Sequence, residues 1–247
     1  MDKEGNTATF GFAILMVIVV GSLLSYAAMG LKPYQVENKK KEKMQNILKA
    51  INVFISRNEA PDKFRNYVKK RIILDSTGKV MHEMTGKIKR KNEKDAFNID
   101  VKKQYRQKGE AANTYPLYKC VKNDTTYYVV PMAGKGLWGP IWGYVSIKGD
   151  GNTLYGATFD HKTETPGLGA EIANRPFQKQ FQGEKLYNED GDFVCVEVVK
   201  GKSKPDNEHA VDGITGGTIT SKGTSEMLER TLSLYRLYFE SKGIAQK

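Results

Sequence analysis

Cysteine and histidine are both scarce in this sequence. Among 247 residues there are two cysteines and three histidines, namely Cys120, Cys195, His82, His161 and His209. None of them has a spacing typical of zinc or iron–sulfur ligands, so we expect neither kind of metal site. The two cysteines could form a disulfide in an oxidising compartment, but two buried thiols are the favoured interpretation.

The common motifs for phosphate and nucleic-acid binding are also missing. No GxxxxGK[ST] segment occurs, which excludes a Walker-type nucleotide site. The formal net charge is +11, with 39 lysines and arginines against 28 aspartates and glutamates. Such a charge can indicate nucleic acid or an anionic membrane as a partner. The basic residues are spread along the chain without an RNA-binding aromatic motif, so we favour a solvated basic surface and expect no nucleic-acid partner.

Charged residues are absent from residues 9–31, which read TFGFAILMVIVVGSLLSYAAMGL. With a rise of about 1.5 Å per residue, an apolar helix of this length crosses a bilayer core. A cleaved signal peptide is the alternative, since the small residues near Ala27-Ala28-Met29 could form a cleavage site. The run is long for a signal peptide and its N-terminal flank is not strongly basic, so we favour one uncleaved transmembrane helix.

The charges on the two sides of this span differ. Lysines from Lys32 to Lys43 outnumber the acidic residues after the span, whereas Lys3 is the only basic side chain before it. Positively charged flanks tend to stay on the cytoplasmic side of a membrane. The charge count therefore predicts that the large domain after the span is cytoplasmic.

Hydrophobic spacing divides the chain into four parts. We expect an N-terminal tail at 1–8, a transmembrane helix at 9–31, an amphipathic connecting helix at 32–57 and a globular domain at 58–247. In the connecting helix, apolar residues recur every three or four positions from Met44 to Ile55, before Pro61. A second helix is predicted at 62–74 and a short strand at 97–101.

Strands dominate the next part of the chain. They are predicted at residues 115–121, 126–132, 141–148, 153–159 and 193–199, with helices near 170–181 and 221–241. Short turns such as Lys122-Asn123-Asp124 join neighbouring strands and indicate hairpins. We therefore predict an α+β fold, with an antiparallel sheet and flanking helices.

Three glycine-rich loops are candidate ligand sites. They cover residues 134–139, 164–169 and 212–221. The third precedes a helix, where free N–H groups and the helix dipole favour a phosphate and glycines let the backbone approach a ligand closely. Trp138 in the first loop and Leu168 in the second could cover a planar ring. Taken singly, each loop is more typical of an ordinary turn, hairpin or helix cap.

Together and in this order, the loops resemble those of one family. The matching segments are Gly136-Leu-Trp-Gly-Pro140, Glu164-Thr-Pro-Gly-Leu-Gly169 and Asp212-Gly-Ile-Thr-Gly-Gly-Thr218. The sequence resembles the C subunit of the sodium-translocating NADH:quinone reductase, whose sister is the G subunit of the Rnf electron-transport complex. The anchor and the helix after it also resemble this protein, and the long segment 58–112 favours the sodium pump over Rnf.

The resemblance implies FMN joined to a threonine by a phosphoester bond. The flavinylation motif of the family is Asp, two variable residues, Ser or Thr, Gly, Ala and Thr. Its positions correspond here to Asp212, Thr215, Gly216, Gly217 and the acceptor Thr218, with Gly217 replacing the usual alanine. The resemblance also places six residues near the isoalloxazine ring: Leu137, Trp138, Glu164, Thr165, Gly167 and Leu168.

The resemblance further implies an electron relay within a six-subunit complex. The chain would receive single electrons from an iron–sulfur centre and pass them towards the flavin of the B subunit and quinone, coupled to Na⁺ export. It would not react with NADH on its own. The implied location is the bacterial inner membrane, in contact with lipid, with the flavin domain facing the periplasm. We favour this orientation over the one predicted by the charge count.

Threonine hydroxyls are weak nucleophiles, and nothing in the sequence near Thr218 resembles a Ser-His-Asp arrangement. The resemblance accordingly implies a separate flavin transferase that takes FMN from FAD, and we interpret Asp212 as a residue that this enzyme recognises or that orients the acceptor hydroxyl for it. We assign no catalytic residue and no metal ligand to the chain itself. Two alternatives stay open: an Rnf G subunit, and a cofactor-free membrane-anchored binding or scaffold domain.

Overall fold

A computed structural model describes residues 5–89, 91–107 and 114–245 of the chain. It divides into two units, Met1–Lys43 and Met44–Lys247. The first four residues of the predicted N-terminal tail lie outside the described part. The α-helices are α1 Asn6–Ala50, α2 Ala60–Tyr67, α3 Val101–Arg106, α4 Arg175–Lys179 and α5 Thr218–Ser241, and two 3₁₀ helices cover Ala96–Asn98 and Gly169–Ala173.

From Asn6 onwards the first unit is helical, and this part of α1 contains the predicted membrane span. Helix α1 is long and apolar enough to cross a membrane, and the side chains of its most apolar stretch are not buried by the rest of the protein. Exposed apolar surface of this extent is unfavourable in water, which is consistent with a lipid environment. Pro33 lies inside α1 without ending it.

The end of α1 belongs to the second unit and differs from the prediction of a connecting helix through residue 57. The helix ends at Ala50, and Asn52 has a left-handed backbone with φ of 55°. Interactions with the sheet hold this end in place. The Ser146 hydroxyl donates to the Ala50 carbonyl at 2.5 Å, and the Lys122 ammonium donates to the Ile51 carbonyl at 2.9 Å.

A six-stranded antiparallel sheet forms the centre of the second unit, and the predicted α+β fold is confirmed. Its strands are β1 Val68–Leu74, β2 Val80–Met84, β3 Tyr115–Lys122, β4 Thr125–Lys135, β5 Pro140–Lys148 and β6 Leu154–His161. Their order is β2-β1-β3-β4-β5-β6. A separate parallel pair is formed by β7 Glu197–Val199 and β8 Ala210–Asp212.

Both faces of the sheet are covered. Ile72 and Val130 belong to one core cluster, which also contains the buried face of α5. Ile73 and Val129 belong to the second cluster, with the end of α1 and Phe64 of α2. Consecutive strand residues point to opposite faces, and here both faces are buried. The central strands are therefore nearly continuous apolar runs rather than alternating apolar and polar residues.

Two local predictions are wrong in the segment before the hairpins. The helix predicted at 62–74 ends at Tyr67, and β1 replaces its second half because those residues pair with β3 and reach both cores. The strand predicted at 97–101 is not formed, because this stretch holds the end of a 3₁₀ helix, two extended residues and the start of α3. The carboxylate of Asp95 accepts from the Phe97 N–H at 3.0 Å, and that of Asp100 accepts from the Lys102 N–H at 3.1 Å, so both aspartates cap short helices.

Three further element bounds differ in the C-terminal half. The helix predicted at 170–181 is divided into the 3₁₀ helix and α4, and the strand predicted at 193–199 is reduced to β7. Strand β8 lies in a stretch that had no predicted strand. Helix α5 starts at Thr218 rather than near Ser221, which changes the geometry of the third glycine loop.

The two cysteines are free and buried, as predicted. Burial raises the pKa of the Cys195 thiol to about 12 and raises the pKa of Cys120 further. Both thiols are therefore protonated at neutral pH and unreactive while the protein is folded.

Candidate functional site

The three glycine-rich loops meet at the N-terminal end of α5. Gly223 of α5 lies directly against the Lys135 carbonyl at the end of β4, where a side chain would not fit. A Cβ atom on Gly169 would lie 2.5 Å from the Thr220 hydroxyl oxygen, and one on Gly216 would lie 2.5 Å from Leu168 Cδ2. The close approach of backbone or buried side chains therefore favours glycine at Gly223 and Gly169, and a φ of 73° favours it at Gly216.

Helix α5 begins within the third loop. Gly217 is its N-cap, and the Ser221 N–H donates to the Gly217 carbonyl at 2.9 Å. The Ile214 N–H donates back to the Ser221 hydroxyl at 3.0 Å and closes the turn. The earlier N–H groups of the helix start have no carbonyl of the preceding turn to bond, so an anion at Thr218 is stabilised there. Lys222 is exposed one turn further along.

Four large apolar side chains are exposed on the loops and the first turn of α5. The exposed fractions are 46% for Leu137, 66% for Trp138, 41% for Leu168 and 58% for Ile219. A group of exposed apolar side chains with polar neighbours is typical of a ligand or partner site. Ile219 was missed by the sequence reasoning, although an apolar residue directly after Thr218 was an available signal.

Glu164 is the buried centre of the site. Its side chain is 5% exposed, although Thr165 beside it is exposed. One carboxylate oxygen accepts from the Trp138 N–H at 2.8 Å and the Gly139 N–H at 3.2 Å. The other accepts from the Thr220 hydroxyl at 2.5 Å. One carboxylate thereby joins all three loops.

The second loop is a tight turn. The Thr165 carbonyl accepts from the N–H groups of Leu168 and Ala170, each at 3.1 Å. Gly167 has a φ of 75° and its N–H donates to a Glu171 carboxylate oxygen at 3.0 Å. This left-handed residue turns the chain so that Leu168 lies against Gly216.

Asp212, the first residue of the flavinylation motif, lies at the end of β8 rather than at the start of α5. Its carboxylate accepts from the Ser203 N–H at 2.8 Å and the Ser203 hydroxyl at 3.0 Å. Its own N–H donates to the Gln180 side chain at 2.8 Å. Thr215 is exposed in the turn that follows. Asp212 thus holds the loop at 201–212, and between described residues no hydrogen bond joins it to Thr218.

Metal chemistry is not indicated by the side chains at this site. Within residues 5–89, 91–107 and 114–245, no group of three or more His, Cys, Asp or Glu residues has an arrangement that could hold a metal ion. The arrangement fits FMN instead. It combines an exposed threonine at a helix N-terminus, suited to a phosphate, with apolar side chains suited to a planar ring.

Comparison with protein families matches residues 136–233 to the FMN-binding domain, a stretch that begins within the first glycine loop and includes most of α5. The fold and the site thus define a membrane-anchored FMN-binding protein. The chain is 33% identical over 228 residues to the C subunit of the Na(+)-translocating NADH-quinone reductase of Haemophilus ducreyi, covering 90% of this chain and 88% of the relative. For the C subunit of Vibrio alginolyticus the identity is 32% over 233 residues, covering 92% and 91%.

Solved structures agree with these relatives. The crystal structure of the C subunit from Parabacteroides distasonis is 39% identical, with a TM-score of 0.72, and the match covers 84% of this chain and 96% of that one. NqrC of Shewanella oneidensis is 26% identical, with a TM-score of 0.66, and the match covers 83% and 99%. This chain belongs to the NqrC family, the C subunits of the Na(+)-translocating NADH-quinone reductase, and is a flavoprotein component of a multi-subunit oxidoreductase.

Gly217, the one departure from the flavinylation motif, is expected to resist substitution by alanine. A Cβ atom at this position would lie 2.9 Å from Ile214 Cγ2 and 3.1 Å from Ile214 Cβ. The φ of Gly217 is −105°, which alanine can adopt. Without a steric contact, alanine would stabilise the folded protein by about 0.5 kcal/mol, because it lowers the conformational entropy of the unfolded chain. The steric contact outweighs this, so Gly217→Ala should lower the free energy of unfolding by about 1 kcal/mol.

Urea unfolding of the full chain in detergent measures this effect. Leucine has no Cγ2 atom and so removes the closer of the two contacts, and Gly217→Ala should therefore cost less in an Ile214→Leu background than in the wild type. A single Gly217→Ala variant more stable than the wild type would contradict the steric argument.

Proposed function

We propose that this chain carries FMN as a phosphoester of Thr218 and relays single electrons in the sodium-translocating complex. The observation that carries this proposal is the exposed position of Thr218 at the first turn of α5, close to four exposed apolar side chains. FMN supplies the one-electron chemistry when bound, and the protein supplies binding, orientation and electrostatics.

Burial distinguishes Thr218 from the neighbouring threonines of α5. Thr220 is 1% exposed and donates to Glu164, while Thr224 is fully buried and donates to the Thr220 carbonyl at 2.9 Å. Neither hydroxyl is accessible to an incoming phosphate. Thr218 is exposed, and its phosphoester would lie next to the free N–H groups of the helix start. The exposed Lys222 adds positive charge on the same side of the helix.

We infer that a separate transferase makes this bond. A hydroxyl needs a base to become an effective nucleophile, and no hydrogen bond joins the Thr218 hydroxyl to another described residue. In the proposed step the Thr218 oxygen attacks the FMN phosphorus of FAD. The new O–P bond replaces the pyrophosphate bond, AMP leaves, and the hydroxyl proton passes to a base of the transferase. Asp212 serves recognition, because its carboxylate orders the adjacent loop through Ser203.

The four apolar side chains are proposed to contact the isoalloxazine ring and exclude water from it. Together with Thr165, Gly167 and the turn of Thr215 to Gly217 they would form the flavin cleft. Because Trp138 is 66% exposed, a ring held against it would lie at the protein surface, where partner subunits could approach it. Electrons would enter from an iron–sulfur centre and leave towards the flavin of the B subunit and quinone, and this transfer would be coupled to Na⁺ export.

The flavin domain is proposed to face the periplasm, with residues 9–31 of α1 crossing the bacterial inner membrane. The lysines after the span favour the opposite orientation, but partner subunits and a large translocated domain can override a local charge count. Protease added to intact spheroplasts should cleave the domain in its assembled complex. Protection of the domain until the cells are lysed would contradict the periplasmic orientation.

The covalent flavin is tested by expressing the chain with and without a flavin transferase. With the transferase, flavin fluorescence should remain with the polypeptide after denaturation, and the intact mass should increase by FMN less one water. A chain with the unmodified mass and no fluorescence would instead support a cofactor-free binding or scaffold domain.

A further inference from the structure

A buried carboxylate without a cationic partner lies beneath the exposed loops of the site. Glu164 forms no ion pair with any described lysine, arginine or histidine. Its charge is stabilised by the N–H groups of Trp138 and Gly139 and by the Thr220 hydroxyl. Burying a carboxylate is costly unless such bonds compensate for lost water.

We propose that Glu164 is a positioning residue that assembles the flavin cleft before any flavin arrives. Its carboxylate holds the backbone of the Trp138 loop on one side and the first turn of α5 on the other. The inference rests on the proposed function for the identity of the ligand. The assembly of the loops by Glu164 is a property of the flavin-free chain.

The surrounding glycines are consistent with this role. A Cβ atom on Gly136 would lie 2.6 Å from one carboxylate oxygen of Glu164, and one on Gly169 would clash with the other oxygen. Both glycines therefore leave room for the carboxylate as well as for the turns. The N–H of Glu164 itself donates to His161 Nδ1 at 3.2 Å, which fixes the start of the second loop.

The hydrogen bonds of Glu164 to Trp138 and to Thr220 hold different parts of the proposed cleft. Trp138 is a proposed ring contact, and Thr220 lies two residues after the proposed acceptor. Because the Thr220 hydroxyl is held inward by Glu164, the first turn of α5 is fixed in the rotation that exposes Thr218. Both oxygens of Glu164 are directed at protein groups, so the residue acts through the loops.

Glu164→Ala and Glu164→Gln separate positioning from charge. A glutamine oxygen can accept from the Trp138 and Gly139 N–H groups while its NH₂ group donates to the Thr220 hydroxyl. We expect rescue by glutamine, and loosening of the loops by alanine. In the flavin-free, full-length chain in detergent, hydrogen exchange of peptides covering residues 136–140 should be at least about tenfold faster in Glu164→Ala. Glu164→Gln should stay within about threefold of the wild type.

A second readout reports on the Trp138 side. In a Trp142→Phe background, Trp138 is the only tryptophan. Quenching of its fluorescence by acrylamide should differ between Glu164→Ala and the wild type, and return to the wild-type value in Glu164→Gln. Equal quenching and equal exchange in all three proteins would overturn the proposal.

Thr220→Val tests the α5 side without removing the carboxylate. Valine keeps the buried shape but cannot donate, so the Trp138 loop should remain protected while covalent flavin incorporation by the transferase slows at least about tenfold. Thr220→Ser should restore the rate. Incorporation into Thr220→Val at the wild-type rate would overturn the role of this bond. If the wild type itself takes up no flavin, the proposed function fails, and the exchange and quenching results still decide the role of Glu164.

Discussion

Thr218→Ala is expected to abolish covalent flavin while leaving the chain folded. The substitution removes the only atom to which the phosphate is proposed to bond. Thr218 is exposed, its hydroxyl makes no hydrogen bond with another described residue, and alanine is well tolerated in a helix. Flavin fluorescence should therefore disappear from the denatured polypeptide after expression with the transferase. The intact mass should be that of the bare chain.

Two control variants make this result specific. Thr218→Ser keeps a hydroxyl at the same position and should still accept flavin. Thr125→Ala removes an exposed threonine at the start of β4, at the opposite end of that strand from the first glycine loop, and should be modified like the wild type. Covalent flavin on the Thr218→Ala chain would mean that a different residue is the acceptor, and peptide mapping would locate it.

Among the variants proposed for this protein, Arg71→Ala is expected to cause the largest decrease in the free energy of unfolding. Arg71 and Asp95 form a buried pair with side chains 2% and 0% exposed, joined by two hydrogen bonds of 2.8 and 2.9 Å. Arg71 also donates to the Gly86 carbonyl at 2.9 Å, and Asp95 accepts from the Phe97 N–H. Removal of the guanidinium leaves a buried carboxylate without its partner, which should cost about 3–5 kcal/mol.

The neighbouring residue on the same strand provides the matched control. Lys70 pairs with Glu83 at 2.8 Å, but their side chains are 44% and 40% exposed. Water screens such a pair, so Lys70→Ala should cost only about 0.2–1 kcal/mol. Urea unfolding of both variants in detergent, monitored by tryptophan fluorescence, measures the difference between their free energies of unfolding. Equal losses in the two variants would show that the buried pair contributes no more than an exposed one.

The local sequence was sufficient to predict a helix or strand wherever its short-range signals agreed with the contacts made in the core. The hairpin of β3 and β4 was predicted because turn residues separate two apolar runs, and the long apolar run of α1 needed only its length and composition. The prediction failed at β1, where Lys69, Lys70 and Arg71 also suit a helix. Pairing with β3 and burial of Arg71 beside Asp95 decide the strand there, and both partners are distant in sequence.

For the candidate site, too, residues in local sequence patterns were predicted and residues whose roles depend on tertiary structure were not. Thr218, Trp138 and Leu168 were proposed from glycine-rich patterns and from the family resemblance. Ile219 and Thr220 were missed because their roles depend on the start of α5, which lies earlier than predicted. Asp212 was interpreted as a residue that the transferase recognises or that orients the acceptor hydroxyl. In the structure its carboxylate binds Ser203, and between described residues no hydrogen bond joins it to Thr218.

By itself, the sequence determined the apolar span, the α+β class and the three glycine loops, because composition, spacing and turn residues are local properties. The tertiary structure alone decided how the loops meet. It brought Glu164 within hydrogen-bonding distance of Trp138 and Thr220, which are 26 and 56 residues away along the chain. It also decided which threonine is exposed, because burial depends on packing of α5 against the sheet rather than on the identity of the residue.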